Sequence, residues 1–401
     1  MDFEFSPEEQ AFADEVEAFL DANDDPEVFD VTRENMAQIV DTPKRRAFMK
    51  KLADRGWLGM TWPKQYGGQD GEGVYEFLLN EALAGRGGPQ IGKGVGIIGK
   101  TLIRVGSDEL KQEFLPQILD AQVEFAVGYS EPDAGSDAAS MKLKAVPAER
   151  DGVAGWVLNG QKTWTTSAHF AEWYWVGART DPDAPKHSGI TLFLVPLDHP
   201  GITINGIWTM GDERTNDVFF DDVFVPDSHV VGELNKGFQY ISSALDLERF
   251  TMFTFSPMQQ RLDVLCDYVR DNEVDGEALK DDPVVRSKIA QLVTQGEVAR
   301  VLGLRVVDAS VKTERSGGPP PTIESSVYKL YATEFSRRLA NASMDIGGPG
   351  AQLRVRTDEA PMAGRAESTY RYTVIDTIGG GASEIQKNII ARRGLGLPKN
   401  F

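Results

Sequence analysis

The stretch Trp156-Val157-Leu158-Asn159-Gly160-Gln161-Lys162-Thr163-Trp164-Thr165-Thr166-Ser167 decides how the chain folds. It opens on three apolar, β-prone residues, and Asn159-Gly160 suits a type I′ hairpin turn because both residues tolerate positive φ. The pattern predicts a strand, a turn, and a second strand carrying an indole and two hydroxyls. The same texture continues on either side. Short apolar runs at Phe125–Tyr129, Trp173–Ala178, Ile190–Val195, Ile202–Ile204 and Val218–Val225 are separated by Gly, Pro, Asn and Asp. Residues 123–235 therefore read as a small β-domain.

Farther out the period changes from two to about 3.6. Before the strands, Ser6-Pro7-Glu8-Glu9 has the form of a capping box with proline in the first turn. Phe12, Val16, Phe19 and Leu20 then recur at helical spacing. Further helices are predicted at Lys44–Arg55, Tyr75–Ala84 and Asp108–Leu119, with glycine-rich loops near Gly67-Gly68 and across Gly85–Gly96. Residues 1–122 form the expected N-terminal helical domain. Helical periodicity returns at Phe238–Phe253, Ser256–Arg270, Pro283–Lys312, Ser325–Ile346 and Ala382–Arg393, so 236–401 is the expected C-terminal helical bundle. The run Ser316-Gly317-Gly318-Pro319-Pro320-Pro321 marks its clearest loop. Helices, then strands, then helices is an α+β order, not a succession of βαβ units. No strand is followed by GxGxxG, which disfavours a doubly wound dinucleotide fold.

Composition narrows the function classes. A net charge of −19 on 401 residues repels phosphate backbones and anionic bilayers, so nucleic acid is not an expected partner. One cysteine, Cys266, excludes an internal disulfide, and four histidines without ligand spacing leave no expected metal site. His169, His187, His199 and His229 read as surface or turn residues. The first thirty-two residues hold twelve acids and no Lys or Arg, unlike a basic targeting leader, and no run of eighteen apolar residues spans a membrane. A cytoplasmic protein is expected.

Three segments stand out chemically. Tyr129-Ser130-Glu131-Pro132-Asp133-Ala134-Gly135-Ser136-Asp137 follows an apolar strand and by composition alone is a surface loop. In Asn159–Ser167, Trp164 taken alone reads as a core aromatic. Gly379-Gly380-Gly381-Ala382-Ser383-Glu384 opens the last helix and offers backbone N–H groups to an anion. Together, in this order and over essentially the whole chain, these segments resemble the acyl-CoA dehydrogenase family. The resemblance implies an N-terminal helical domain, a central small β-domain and a C-terminal helical bundle. It also implies FAD as cofactor, an acyl-CoA thioester oxidised between Cα and Cβ, and electron-transfer flavoprotein as electron acceptor. By resemblance Tyr129 and Ser130 contact the flavin, Trp164 packs on the isoalloxazine, and Thr166 offers its hydroxyl near N5. Ser136 belongs to the same edge, beside the CoA portion. Gly347 and Gly348, in Met344-Asp345-Ile346-Gly347-Gly348-Pro349-Gly350, match the pair that reaches a neighbouring subunit's FAD.

The reaction requires a carboxylate that removes the α-proton. Much of the family supplies it at the position held here by Gly380, where it is missing. The isovaleryl and long-chain branches place it on the first long helix after the β-domain, and Leu245-Asp246-Leu247-Glu248-Arg249-Phe250 resembles the isovaleryl motif. Glu248 is thus the expected base. Gly380 then leaves room for that carboxylate and for a bulky acyl group, while its N–H faces the thioester oxygen. Arg249 is either a tether near the CoA moiety or one half of a helix ion pair.

Departures from the pattern keep other readings open. Tyr268–Val274 lacks the Arg-x-x-Phe-Gly motif of many relatives, and Met344 and Ala382 replace a glutamine and a threonine. The alternatives are a non-catalytic subunit that completes the FAD site of a heteromer and a flavoprotein oxidase or monooxygenase of the same fold. A homo-oligomer, dimer or tetramer, or a heteromer with a related subunit is expected. The acyl group is branched, long or sterol-type.

Overall fold

Ser6 starts the first helix as its sequence requires: Glu9 N donates to Ser6 Oγ (3.2 Å) and Ser6 N to Glu9 Oε2 (2.6 Å). Such a cap contributes about 1 kcal/mol. The computed structural model describes residues 4–32, 40–252, 254–316, 318 and 320–398, with the side chains of 246–252, 314 and 315 outside the description. In chain order the helices α1 (Pro7–Asp21), α2 (Pro43–Asp54), α3 (Gly73–Gly85), α4 (Lys100–Val105) and α5 (Asp108–Leu119) come first. Strands β1 (Phe125–Gly128), β2 (Lys144–Arg150), β3 (Val153–Lys162), β4 (Trp173–Arg179), β5 (Ile190–Pro196), β6 (Ile202–Trp208), β7 (Arg214–Pro226) and β8 (Val230–Val231) follow. The chain returns to helix in α6 (Gly237–Met252) and α7 (Ser256–Asp271), makes a small hairpin of β9 (Glu273–Val274) and β10 (Glu277–Ala278), and closes with α8 (Pro283–Ser316), α9 (Thr322–Gly347), α10 (Arg365–Asp376) and α11 (Ser383–Ile389). The α+β order of helical, β and helical regions holds. Phe253, Gly317 and Pro319, which belonged to predicted elements, lie outside the described residues.

Internal contacts divide the chain into two units that do not follow its linear order. One comprises Met1–Ala37, Gly73–Gln90 and Arg249–Phe401; the other comprises Gln38–Glu72 and Ile91–Glu248. Helices α1 and α3 therefore group with α7 to α11. Phe12 of α1 packs edge-on against Tyr75 of α3, with ring centroids 5.2 Å apart. The core of this unit centres on Leu262, Leu265, Ala299, Phe335 and Leu339.

The other unit is built on one sheet of order β6-β7-β3-β2-β4-β5-β8, with β1 pairing parallel to β4. Trp156, Leu158, Tyr174, Val176, Phe193 and Val218 form its buried face. Asn159-Gly160 is not the predicted turn. β3 runs straight through it, and the pair sits at a bulge against β7, where Asn159 Oδ1 accepts Asp222 N (2.9 Å) and Gly160 has φ +142°. The hairpin turn lies earlier, at Asp151-Gly152 (φ +53° and +78°), between the paired residues Arg150 and Val153. The sequence pattern overlooked β2 because Lys144–Arg150 exposes most of its length and buries only Ala145.

The glycine-rich stretch to Gly96 is only partly a loop. Gly94–Gly99 winds as a buried π-helical turn. A Cβ at Gly99 would stand 2.0 Å from Trp62 Cζ2, so glycine lets the indole lie on the backbone, while Trp62 Nε1 donates to Val95 O (3.2 Å). His229 ends a 3₁₀ turn as predicted, and its half-buried ring packs edge-on against both Phe114 and Trp173. α10 was not visible in the pattern. No described helix is long and apolar enough to cross a membrane.

Candidate functional site

In the sheet unit the first two of the three sequence segments meet. β1 ends at Gly128, where any Cβ would stand 2.3 Å from the Tyr174 hydroxyl, and the chain then turns outward through Tyr129 and Ser130. Thr163 N, just beyond β3, donates to Ser130 O (3.0 Å), and Trp175 Nε1 donates to the Tyr129 hydroxyl (2.9 Å). Beneath this junction lies an ion pair. Lys162, with no solvent exposure, donates from Nζ to Glu131 Oε1 (2.8 Å) and, at longer range, to Tyr129 O (3.4 Å). The Glu131 carboxylate also accepts Leu143 N (2.9 Å) and Lys142 N. Burial pushes the Lys162 ammonium down to about 8, against the stabilising charge and hydrogen bond of Glu131.

Trp164 is not a core aromatic. It is 60% exposed and its backbone is left-handed, φ +55°. Its neighbours, by contrast, are buried and pinned. Thr165 N donates to Asn216 O (2.9 Å), Asn216 Nδ2 donates to Thr165 O (2.8 Å) and His169 Nδ1 (3.1 Å), and the Thr165 hydroxyl bonds that of Tyr174 (2.7 Å). A left-handed L residue costs about 1–2 kcal/mol and persists only where its surroundings over-determine it. Here the strain goes into holding a large flat ring in solvent, with half-buried Thr166 two residues along. An exposed aromatic ring on a pinned backbone, with a hydroxyl two residues along and the Tyr129-Ser130 loop tied to the same turn, fits a planar, hydrogen-bonding cofactor such as FAD.

Ser136 is exposed on a turn held from below by Arg179. Arg179 Nη2 donates to Ala139 O (2.6 Å) and Nη1 to Lys186 O (3.1 Å) and Ser188 O (3.2 Å). The hydrogen bonds of Lys186 and Ser140 to Asp137 hold that carboxyl below its ordinary range.

The third segment belongs to the other unit. Gly380 and Gly381 have φ +63° and +93°. The loop they form is fixed from inside: Gln386 Nε2 donates to Gly380 O (3.2 Å) and Gly381 O (3.1 Å), and the fully buried Lys329 donates to Gly381 O and Asp376 O (both 2.9 Å). Ala382 stands at the N-cap of α11 and supplies no capping side chain. Gly347 and Gly348 end α9. A Cβ on Gly347 would crowd Ala351 and Met362 at 2.9 and 3.0 Å, whereas Gly348, at φ +61°, faces open space. The stretch that lacks the expected Phe-Gly forms the β9–β10 hairpin. Glu248 and Arg249 are on α6, and their side chains lie outside the described residues.

The motifs did not reveal Glu131, Lys162, Asn216, Lys329 or Gln386 as supports. One signal was available: Lys162 continues the inward set of Trp156 and Leu158 on β3, and a lysine at an inward strand position requires a buried acid. Nothing local marks Lys329.

Family models described as acyl-CoA dehydrogenase N-terminal, middle and C-terminal domains match residues 6–122, 126–223 and 235–395. Acyl-CoA dehydrogenase FadE26 of Mycobacterium tuberculosis (strain ATCC 25618 / H37Rv) is 32% identical over 358 residues, 88% of each chain. Among solved structures, the Tcur3481-Tcur3483 steroid ACAD superposes with a TM-score of 0.88 at 31% identity, covering all of both chains. A chain of the ChsE4-ChsE5 complex from Mycobacterium tuberculosis gives 0.86 at 29% identity, again with full coverage.

Proposed function

Because the chain belongs to the acyl-CoA dehydrogenase family, whose members are FAD oxidoreductases, we propose that it dehydrogenates a bulky acyl-CoA, of steroid or steroid side-chain type, between Cα and Cβ. The observation that carries this reading is Trp164, strained, exposed and pinned on both sides, in the segment where the family presents an aromatic ring to its flavin. When bound, FAD supplies the acceptor for the hydride that leaves Cβ. Trp164 offers its ring face and keeps water from it, Thr166 and Ser130 offer hydroxyls, and Tyr129 lines the same loop. Gly347 and Gly348 present backbone toward the cofactor of a second subunit.

Glu248 takes the α-proton. A carboxylate with that task needs a site poor in water, which raises its basicity toward that of the α-carbanion it must generate. Gly380 N–H donates to the thioester oxygen as enolate charge develops there. Ser136 and Arg249 hold the CoA portion. The absence of a side chain at Gly380 and the likeness to a protein titled a steroid ACAD both support a wide acyl group. Electrons then pass to an electron-transfer flavoprotein.

The test is anaerobic bleaching of the flavin absorbance by steroid side-chain, isovaleryl and palmitoyl CoA thioesters in wild type and Glu248→Gln. Bleaching by the steroid thioester, abolished in E248Q with binding retained, supports the proposal. Undiminished reduction in E248Q overturns the base, and reduction by palmitoyl-CoA alone overturns the substrate class. The likeness to a chain of the ChsE4-ChsE5 complex supports assembly with a related subunit. Native mass of the chain, alone and co-expressed with such a subunit, distinguishes this from a homo-oligomer.

A further inference from the structure

Two loops have to present one face, yet no ladder joins the strands that carry them. β1 pairs with β4 and β3 with β2 and β7, while β2 meets β4 at Lys144 and Arg179, so the end of β1 at Gly128 and the end of β3 at Lys162 are linked by the sheet through two intervening strands and not paired to each other. The hydrogen bonds between the Ser130 loop and the Trp164 turn include Thr163 N to Ser130 O and those of the Lys162 ammonium.

We propose that Lys162 is a positioning residue: its buried ammonium, bridging the Glu131 carboxylate and the Tyr129 carbonyl, locks the Ser130 loop to the Trp164 turn as one preformed flavin-binding face. This rests on the flavin-site reading above and adds to it the element that sets the site's shape. A lysine suits the task because three donors on a flexible stem reach a carboxylate, a carbonyl and, at 3.7 Å, the Met141 sulfur from one point. Glu131 extends the tie by accepting Lys142 N and Leu143 N just before β2, so one ion pair gathers the exits of β1 and β3 and the approach to β2. The other charge acting on the ammonium is Arg179, which opposes it. Buried ion pairs add little net stability compared with apolar side chains of the same volume, and their attested use is to specify one arrangement over others.

The experiment compares wild type, Lys162→Met and the double variant E131Q/K162M, each stripped of FAD and retitrated, with circular dichroism as the check of folding. In a folded variant the FAD dissociation constant is expected to rise at least about ten-fold, equivalent to about 1.4 kcal/mol. Quenching of flavin fluorescence by Trp164 should weaken in parallel, while the KM for acyl-CoA at saturating FAD stays within about two-fold. A loss of general stability alone would not separate these readouts. A folded variant with wild-type FAD affinity and quenching overturns the proposal. If K162M does not fold, the double variant, which leaves neither charge buried alone, decides. If neither folds, Lys162 serves the fold itself and the positioning role is overturned. A wild type that takes up no FAD sinks the flavin-site reading. A yellow wild type with unaffected variants sinks only the role of Lys162.

Discussion

Replacing Trp164 by alanine and, separately, by glycine distinguishes backbone strain from the work of the ring. Both variants lose the indole and differ by a Cβ alone, which bears on φ +55° in the folded chain and on the freedom of the unfolded one. At an ordinary site glycine is less stable than alanine by roughly 0.5–1 kcal/mol, because its unfolded chain is freer. At left-handed φ a Cβ costs about 1–2 kcal/mol. The second effect wins, so W164G should be more stable than W164A by about 0.5–1 kcal/mol, reversing the usual order. Both should fall below wild type. The ring is 60% exposed, and for an aromatic that buries ~200 Å² when enclosed, the covered remainder is worth ~2 kcal/mol. Urea denaturation of the FAD-free protein measures the order, since equal slopes make the midpoints directly comparable. In both variants the stabilisation gained on adding FAD should shrink. Alanine equal to or above glycine would refute the left-handed backbone, and an undiminished FAD effect in both would refute the ring's role.

The glycines offer a graded comparison. Gly99→Ala should destabilise strongly, because its Cβ meets the Trp62 ring at 2.0 Å; Gly152→Ala should cost about 1 kcal/mol through φ +78° alone, having no neighbour within 4 Å; and Gly135→Ala, with neither constraint, should be near neutral. Equal midpoints for Gly99→Ala and Gly135→Ala would contradict the packing described. Glu124 supplies a pH test. Burial, with the nearby Glu172 charge and against Arg46 and Lys93, raises its carboxyl to about 7. The folded protein therefore holds a proton that the unfolded chain has lost, and this contribution, full below the ordinary carboxylate range, disappears as pH rises through about 7. Glu124→Gln should raise the urea midpoint at pH 8 and lose that advantage near pH 5; a difference independent of pH would exclude Glu124 as the source.

Legibility followed the range of the forces involved. The Ser6–Glu9 cap and the α1 face of Val16, Phe19 and Leu20 were readable because each depends on residues within a few positions of one another. Asn159-Gly160 misled because the dipeptide states only that positive φ is tolerated. Whether the chain turns there depends on the partner strand, and β7 was in place to accept a bulge. The exposed β2 left too weak an apolar alternation to be seen. In the candidate site, Trp164 was marked by its motif, but local pattern alone placed it in the core.

Sequence alone determined the α+β order, the segments that contain Tyr129, Ser130, Trp164 and Gly380, and the absence of a glutamate at Gly380 that moves the expected base to Glu248. Tertiary structure decided that Glu131 and Lys162, 31 residues apart, form a buried pair, that Asn216 holds the far side of Trp164, and that the indole points into solvent on a strained backbone. Helical period, capping and turn preference are short-range and written into neighbouring residues. Which buried charge meets which, and which ring is left uncovered, follows from strand pairing between distant segments, and that exists only once the sheet has formed.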